Sequence, residues 1–212
     1  MDPGWLSNAY LVWDESTREA FFVDSGAPLE PLVSVVERER LRVVRLLTTH
    51  GHHDHVAGDD ELARRFDVRP ERSAPGVEAI PTPGHSDDHL VFVADGLCFS
   101  GDLLFRDAVG GGPDAAVIRD SVLRVLELPG ETRVLPGHTD ETTIGRERAE
   151  NPFARYWLGE ANALDKPVSA GGEEATLLVW SPDYNGNGKA LVRFADGREA
   201  IVGGSRIVRS GH

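Results

Sequence analysis

The chain has 212 residues, 40% of them hydrophobic and 27% charged, the balance of an ordinary globular protein and far from that of a disordered one. Its formal charge of −13 argues against a broad phosphate-binding face, because nucleic-acid affinity rests on Lys and Arg neutralising phosphates. A single cysteine, Cys98, excludes an intrachain disulfide and a cysteine-rich metal knuckle, and no apolar run approaches the ~20 residues that cross a bilayer.

Two apolar runs, Ala9 to Trp13 and Ala20 to Val23, flank the polar stretch Asp14 to Arg18 and suit a β-hairpin. Pro28 to Arg40 follows as an amphipathic helix, with Leu29, Leu32, Val33 and Val36 at helical spacing. The continuous run Val43 to Thr48 suits a strand buried on both faces. Asp59 to Phe66 reads as a helix, and Ile80, Leu90 to Ala94 and Leu97 to Ser100 as short strands, with a turn at Ala94-Asp95-Gly96. Cys98 in that last strand reads as a packed thiol. A second amphipathic helix, Ala115 to Leu128, carries Val117, Ile118, Val122, Val125 and Leu126 and stops at Pro129-Gly130; Val134-Leu135 is expected as the last strand of this part. Tyr156 and Trp157 read as sealing residues between two units more readily than as a pocket lining.

After about Pro167 the character changes. Ala175 to Trp180, Ala190 to Phe194 and Ala200 to Val202 are short β-type runs, separated by Asn185-Gly186-Asn187-Gly188 and Asp196-Gly197, dipeptides that tolerate the positive φ of hairpin turns. The expected division is a catalytic unit over residues 1–165 and a small β-barrel-like module of SH3 or Tudor type over 166–212, the latter a surface for self-association or protein contact. Met1 to Trp5 lacks a basic segment followed by an apolar run, so no signal peptide and a cytoplasmic location are expected.

The chemistry concentrates in Thr49-His50-Gly51-His52-His53-Asp54-His55, directly after the apolar strand. Four imidazoles in six positions are costly as packing, whereas imidazole and carboxylate are the ligands zinc accepts. His50 and His52, two apart in extended chain, point to one side, and Asp54 and His55 enter the first turn of a following helix, so one loop can serve two adjacent metals. His85 in Pro83-Gly84-His85, Asp102 in Ser100-Gly101-Asp102 and His138 in Pro136-Gly137-His138 each follow a strand or turn, where loops carry functional groups at the rim of a rigid sheet. His53 reads as a spacer, His89 as a substrate-side or supporting group, and His212 as the terminus. For Asp24, capping of the turn near Gly26 and support of the ligand loop stand side by side.

This ordered set, HxHxDH, then PGH, GD and a second PGH, resembles the metallo-β-lactamase superfamily over residues 6 to 155. Within it, Ser7-Asn8-Ala9-Tyr10-Leu11-Val12, Thr142 to Glu147 and Asn151-Pro152-Phe153 are most similar to the glyoxalase II (hydroxyacylglutathione hydrolase) group. The resemblance implies an α/β, four-layer αββα fold. It implies two Zn²⁺ ions, or Fe or Mn in one or both places: His50, His52 and His85 for one, Asp54, His55 and His138 for the other, Asp102 between them, and Asp24 as support. It further implies a hydrolase for a small-molecule thioester or related ester; the acidic balance and the lack of a spanning apolar run lead to the expectation of no nucleic acid and no membrane as partner. A water shared by two cations is acidic enough to give hydroxide near neutral pH, and Asp54 is the catalytic residue expected to orient it and pass a proton to the leaving group. The alternatives are an iron persulfide dioxygenase using His50, His85 and Asp102, or a lactonase, polyketide thioesterase or endoribonuclease of the same fold, the last drawing on Lys189, Arg193, Arg198, Arg206 and Arg209. Three departures from the glyoxalase II pattern bear on the thiol carrier rather than on the reaction class: the β-type tail, the short His55–His85 interval and a missing Arg-x-Asp after the GD motif.

Overall fold

The computed structural model describes residues 7–182 and 186–209. Strands β1 (Tyr10–Trp13) and β2 (Glu19–Val23) pair antiparallel around a turn in which the Asp14 carboxylate accepts the Ser16 and Thr17 N–H groups. Helix α1 (Glu30–Glu39) begins two residues beyond Pro28 and ends where Arg40 turns left-handed at φ 53°. Strand β3 (Arg42–Leu47) runs parallel to β2. The short helix α2 (His53–Val56), helix α3 (Asp59–Phe66) and strand β4 (Pro70–Glu71), parallel to β3, follow, giving a sheet in the order β1-β2-β3-β4.

A second sheet takes β5 (Glu78–Pro81), β6 (Leu90–Ala94) and β7 (Leu97–Gly101) as an antiparallel meander. The turn between β6 and β7 places Asp95 and Gly96 at φ 46° and 76°, the double positive φ expected of that dipeptide. A two-stranded ribbon, β8 (Leu104–Phe105) and β9 (Ala108–Val109), absent from the sequence reading, precedes helix α4 (Ala115–Val125). Asp114 caps α4 by accepting the Ala116 and Val117 N–H groups. The helix stops three residues before Leu128, and Val117, read as an inward position, is 37% exposed. Strand β10 (Arg133–Pro136) lies parallel to β7, and β11 (Thr142–Thr143) pairs with it, so Val134-Leu135 is not the last strand of this part. Helices α5 (Ile144–Glu150) and α6 (Pro152–Trp157) complete it.

Four layers follow from three separate apolar contacts. Phe22 and Leu46 face Val33 of α1 and Leu62 of α3; Val23 and Leu47 face Phe92 and Phe99 across the sheets; Val91, Cys98 and Val134 face Ile118, Val122 and Val125 of α4. Leu46 and Leu47 thus look in opposite directions from one strand, which is why Val43 to Thr48 reads as unbroken apolar chain. Fully burying a Phe such as Phe92 or Phe99 stabilises the sandwich by roughly 1.5–3 kcal/mol.

The tail forms a five-stranded antiparallel sheet of β12 (Lys166–Ala170), β13 (Glu173–Ser181), β14 (Lys189–Phe194), β15 (Glu199–Gly203) and β16 (Ile207–Arg209), in the order β15-β14-β13-β12-β16. The three runs read from sequence are β13, β14 and β15; β12 and β16 hold Lys166-Pro167 and Arg209, which mask their pattern. Asn185 of the expected turn and His212 lie outside the described residues, while Gly186 and Gly188 stand at φ 77° and 81°. Val168, Leu177, Ala190 and Val192 pack among themselves, whereas Leu178, Val179, Leu191 and Ile201 join Phe153 and Ile118. Tyr156 and Trp157 pack against that shared cluster. Among the described residues, no helix is long and apolar enough to cross a membrane.

Candidate metal centre

All seven sequence-derived ligands come from chain that has just left a strand: His50 to His55 after β3, His85 after β5, Asp102 after β7 and His138 after β10. The first group hangs from one sheet and the other three from its partner, so the cluster forms where the two sheets share an edge. His50 Nε2 and His85 Nε2 lie 3.0 and 2.9 Å from His52 Nδ1. Asp54 Oδ2 stands 3.7 Å from His55 Nε2 and 3.4 Å from His138 Nε2. Asp102 reaches both groups: Oδ1 is 3.2 Å from His55 Nε2, and Oδ2 is 3.3 Å from His138 Nε2 and 3.4 Å from His85 Nε2. His50-His52-His85, Asp54-His55-His138 and His50-His55-Asp102 are each compact enough to hold an ion. His50, His55, Asp102 and His138 are buried, while His52 is exposed and Asp54 and His85 are partly so, so the cluster opens on that side.

The rings are held with their lone pairs inward. Gly111 O can only accept, so the proton of His85 sits on Nδ1, 2.9 Å away, and Nε2 is bare. The Thr49 hydroxyl donates to Asp24 Oδ2 at 2.8 Å and therefore accepts from His50 Nδ1 at 3.0 Å, leaving His50 Nε2 bare as well. His55 Nδ1 donates to the same Asp24 oxygen at 2.8 Å, and Asp24 Oδ1 takes the Thr49 N–H. Asp24 thus supports the ligand loop, and the turn near Gly26 is not what it caps; its φ of 57° turns the chain so that the carboxylate meets that loop.

Lone pairs facing one another at about 3 Å repel unless a cation lies between them. His55 Nε2 and Asp102 Oδ1, though 3.2 Å apart, are not aligned for a hydrogen bond and are buried without another partner. A buried polar atom left so costs about 1–3 kcal/mol, which a bound metal removes. The protonation states suit a metal too. Burial pushes Asp102 upward, but the His138 and His55 rings outweigh it and hold the carboxyl well below its usual range. Burial, aided by His55, pushes His50 far down, so its ring is neutral. Burial disfavours charge on His55, yet Asp102 and Asp24 push it up to about 11, so the pocket favours positive charge at that nitrogen, and a metal ion bound there would displace its proton. The neutral His50 ring and the ionised Asp102 are already in the states that metal binding requires.

Asn8, Tyr10 and Gly137 escaped the sequence reading as supports, whereas His89 takes the supporting one of its two expected roles. His89 is buried: its Nε2 accepts the Asp102 N–H at 3.0 Å, so its Nδ1 donates to Thr82 Oγ1 at 2.8 Å, and burial takes its pKa down to about 3. It therefore positions Asp102 through the main chain and does not face substrate. Asn8 donates to Pro136 O and Thr139 O at 3.0 and 2.9 Å, and the Tyr10 hydroxyl to Pro136 O at 2.6 Å, clamping the loop that carries His138. Gly137 has no room for a side chain, since a Cβ would stand 2.5 Å from Asp102 Oδ1 and His55 Cε1. The signals were present as Ser7-Asn8-Ala9-Tyr10 and Pro136-Gly137-His138, but spacing alone does not say what an Asn or a Gly touches. His53 sits exposed on α2, consistent with a spacer.

Two facing sheets with helices outside and an imidazole–carboxylate cluster at their shared edge define a metallo-hydrolase scaffold. The chain belongs to the metallo-beta-lactamase superfamily, whose family model matches residues 2–76 and 69–138. It is similar to the hydroxyacylglutathione hydrolase of Chromohalobacter salexigens, 32% identical with 82% of this chain and 94% of that one covered. An uncharacterised Aquifex aeolicus protein is 34% identical over 69% of this chain and 91% of its own length. Among solved structures, TTHA1623 in a di-iron-bound form is 32% identical with a TM-score of 0.64, covering 72% of this chain and 97% of that one. ETHE1 from Myxococcus xanthus is 28% identical with a TM-score of 0.62, covering 73% and 83%.

Proposed function

We propose that the protein is a cytoplasmic two-metal hydrolase of small-molecule thioesters, of the hydroxyacylglutathione hydrolase type. The observation that carries this reading is the convergence of two donor sets on one carboxylate, Asp102, whose two oxygens face His55 on one side and His85 and His138 on the other. His50, His52 and His85 would hold one ion, Asp54, His55 and His138 the other, with Asp102 shared; zinc suits these donors, and iron and manganese are the alternatives. When bound, such ions supply an acidified water and Lewis-acid polarisation of a carbonyl. The chain's own part is positional. Asp24 and Thr49 fix the His50 and His55 rings, Gly111 fixes His85, and His89 and Asn8 fix Asp102 and the His138 loop. Asp54, partly exposed at the open side, is placed to accept a proton from an entering water and to return it to a departing thiolate.

The names of several relatives, hydroxyacylglutathione hydrolases at 27 to 35% identity, support the thioester class. An RNA substrate is less well supported: Arg193 pairs with Glu199 at 2.8 Å and Arg198 with Asp196 at 2.5 Å, so these two arginines of the tail are turned to its own acids. The test is elemental analysis of protein purified without added metal, then initial rates on thioester, lactone and RNA substrates with and without chelator. Thioester cleavage that chelation abolishes and metal restores is expected. One iron per chain with sulfite production from a persulfide would replace this reading with the dioxygenase, which uses only His50, His85 and Asp102.

A further inference from the structure

The tail sheet reaches the metal centre through its edge strand. Gly112 and Ile201 exchange two backbone hydrogen bonds of 3.0 Å, which tie β15 to the segment Gly110 to Gly112, and the Gly111 carbonyl in the middle of that segment accepts the His85 Nδ1 proton at 2.9 Å. The segment is a strap stretched between β9 and the Asp114 cap of α4. Gly110 N donates to Leu103 O at 3.2 Å; among the described residues, the two bonds to Ile201 are the strap's other backbone–backbone bonds. Three successive glycines do not hold a conformation by themselves, because each has more backbone freedom to lose than any other residue. Their lack of side chains lets the strap lie against the ligand loops: a Cβ on Gly110 would overlap Asp102 O, and one on Gly112 would stand 2.5 Å from Gly84 O. Ile201 is suited to holding it. It stands opposite Leu191 of β14, and since its N–H and its C=O both turn to Gly112, it takes no hydrogen bond from β14. Its side chain is buried with Ile118 and Phe153, so the strand that makes the tie is itself seated on α4 and α6.

We infer that the tail sheet positions the metal centre: through its main chain, Ile201 holds the glycine strap at the place from which Gly111 fixes the His85 ring, so that the affinity of the His50-His52-His85 group depends on a strand outside the two-sheet sandwich. The effect on affinity rests on the reading of the cluster as a two-ion centre; the hold on the ring does not.

Ile201→Pro deletes one bond of the tie and crowds Gly112 O, and at an edge-strand position whose N–H faces away from β14 it leaves the β14–β15 ladder intact. Ile201→Val keeps the N–H, and Leu191→Ala removes packing from the same apolar cluster while leaving the tie in place. In the first measurement, long-range proton–nitrogen spectra of the metal-free protein read which nitrogen of His85 carries the proton. Nδ1 is expected in the unmodified protein, in Ile201→Val and in Leu191→Ala, and a mixture of both tautomers in Ile201→Pro; Nδ1 throughout in Ile201→Pro overturns the inference. In the second, competition for zinc with a chromophoric chelator gives two stepwise constants, one of which is expected to weaken about tenfold in Ile201→Pro and neither to change in Ile201→Val or Leu191→Ala. Unchanged constants in Ile201→Pro, or an equal loss in Leu191→Ala, overturn it. Should Ile201→Pro fail to fold, Gly111→Ala takes its place, since its methyl would stand 3.2 Å from Ile201 O and push the strap from β15 with the tail unaltered; native spectra and constants there overturn the inference. If the unmodified protein binds no zinc, the two-ion reading falls while the His85 spectra still decide the hold on the ring.

Discussion

Gly137 offers a clean perturbation, because its replacement by Ala adds one methyl group and no charge. That methyl would stand 2.5 Å from both Asp102 Oδ1 and His55 Cε1, and 3.1 Å from the Gly101 carbonyl carbon, where Cβ contacts under 3.0 Å are essentially never found. Asp102 and His55 would each have to retreat by at least about 0.5 Å, and neither is free to do so. His55 is fixed by Asp24 at 2.8 Å, and Asp102 by its N–H to His89 at 3.0 Å. Displacing groups that orient metal ligands costs about 10–100-fold in affinity, and here two ligands move together, so a loss of about 100-fold, or ~2.7 kcal/mol, is expected. Competition with a chromophoric chelator measures it, with Gly130→Ala as control, since a Cβ there meets nothing nearer than 3.6 Å. Native metal content and affinity in Gly137→Ala would refute the packing of Asp102 against His55 on which the site depends.

Asp24→Asn keeps an acceptor for the Thr49 N–H but loses the charge facing His55, and metal affinity should drop about 10–100-fold while the melting temperature changes little; equilibrium dialysis and thermal melts separate the two. Asp102→Ala should empty both ion positions and His138→Ala mainly one, as read by metal stoichiometry; full stoichiometry in Asp102→Ala would remove the shared-carboxylate reading. Glu147 is fully buried and accepts from Asp107 N, Thr142 Oγ1, Arg146 Nη1 and Asn151 Nδ2, so Glu147→Gln sets a donor against donors and should cost about 3 kcal/mol in denaturant unfolding. Burial pushes the Cys98 thiol up to about 12, so it should resist a thiol reagent in the native protein at neutral pH and react once unfolded; fast native labelling would contradict its place under α4.

The residues that were legible in the sequence are those whose type and spacing are themselves the signal. Four histidines within six positions and three glycine-flanked ligands announce a metal site, and Leu46-Leu47 inside an unbroken apolar run announces a central strand. What stayed hidden is contact between distant segments. Asn8 meets the loop of His138, 130 positions on, and no local pattern encodes that partner. His89, beside Ser86, Asp87 and Asp88, reads as either a substrate-side or a supporting group, and the start of β6 directly after it, which carries it inward, decides for the second. Very short elements were lost for a related reason: β8, β9 and β11 hold two residues each and owe their pairing to the neighbours that frame them. In the tail, β12 and β16, carrying Lys166-Pro167 and Arg209, contradict the β pattern locally; β12 is recruited by pairing with β13, and β16 by pairing with β12.

Because His50 to His55 spring from one leaf of the sandwich and His85, Asp102 and His138 from the other, an ion held among them would act as a rivet at that margin. Among the described residues the leaves are otherwise joined by the apolar cluster of Val23, Leu47, Phe92 and Phe99 and by polar contacts such as Tyr10 to Pro136 O and Leu90 N to Thr49 O. Stripping the ions should therefore do more than silence the chemistry: it should let the two leaves part from that margin first, so that hydrogen exchange in β3 and β7 quickens before any other region loosens.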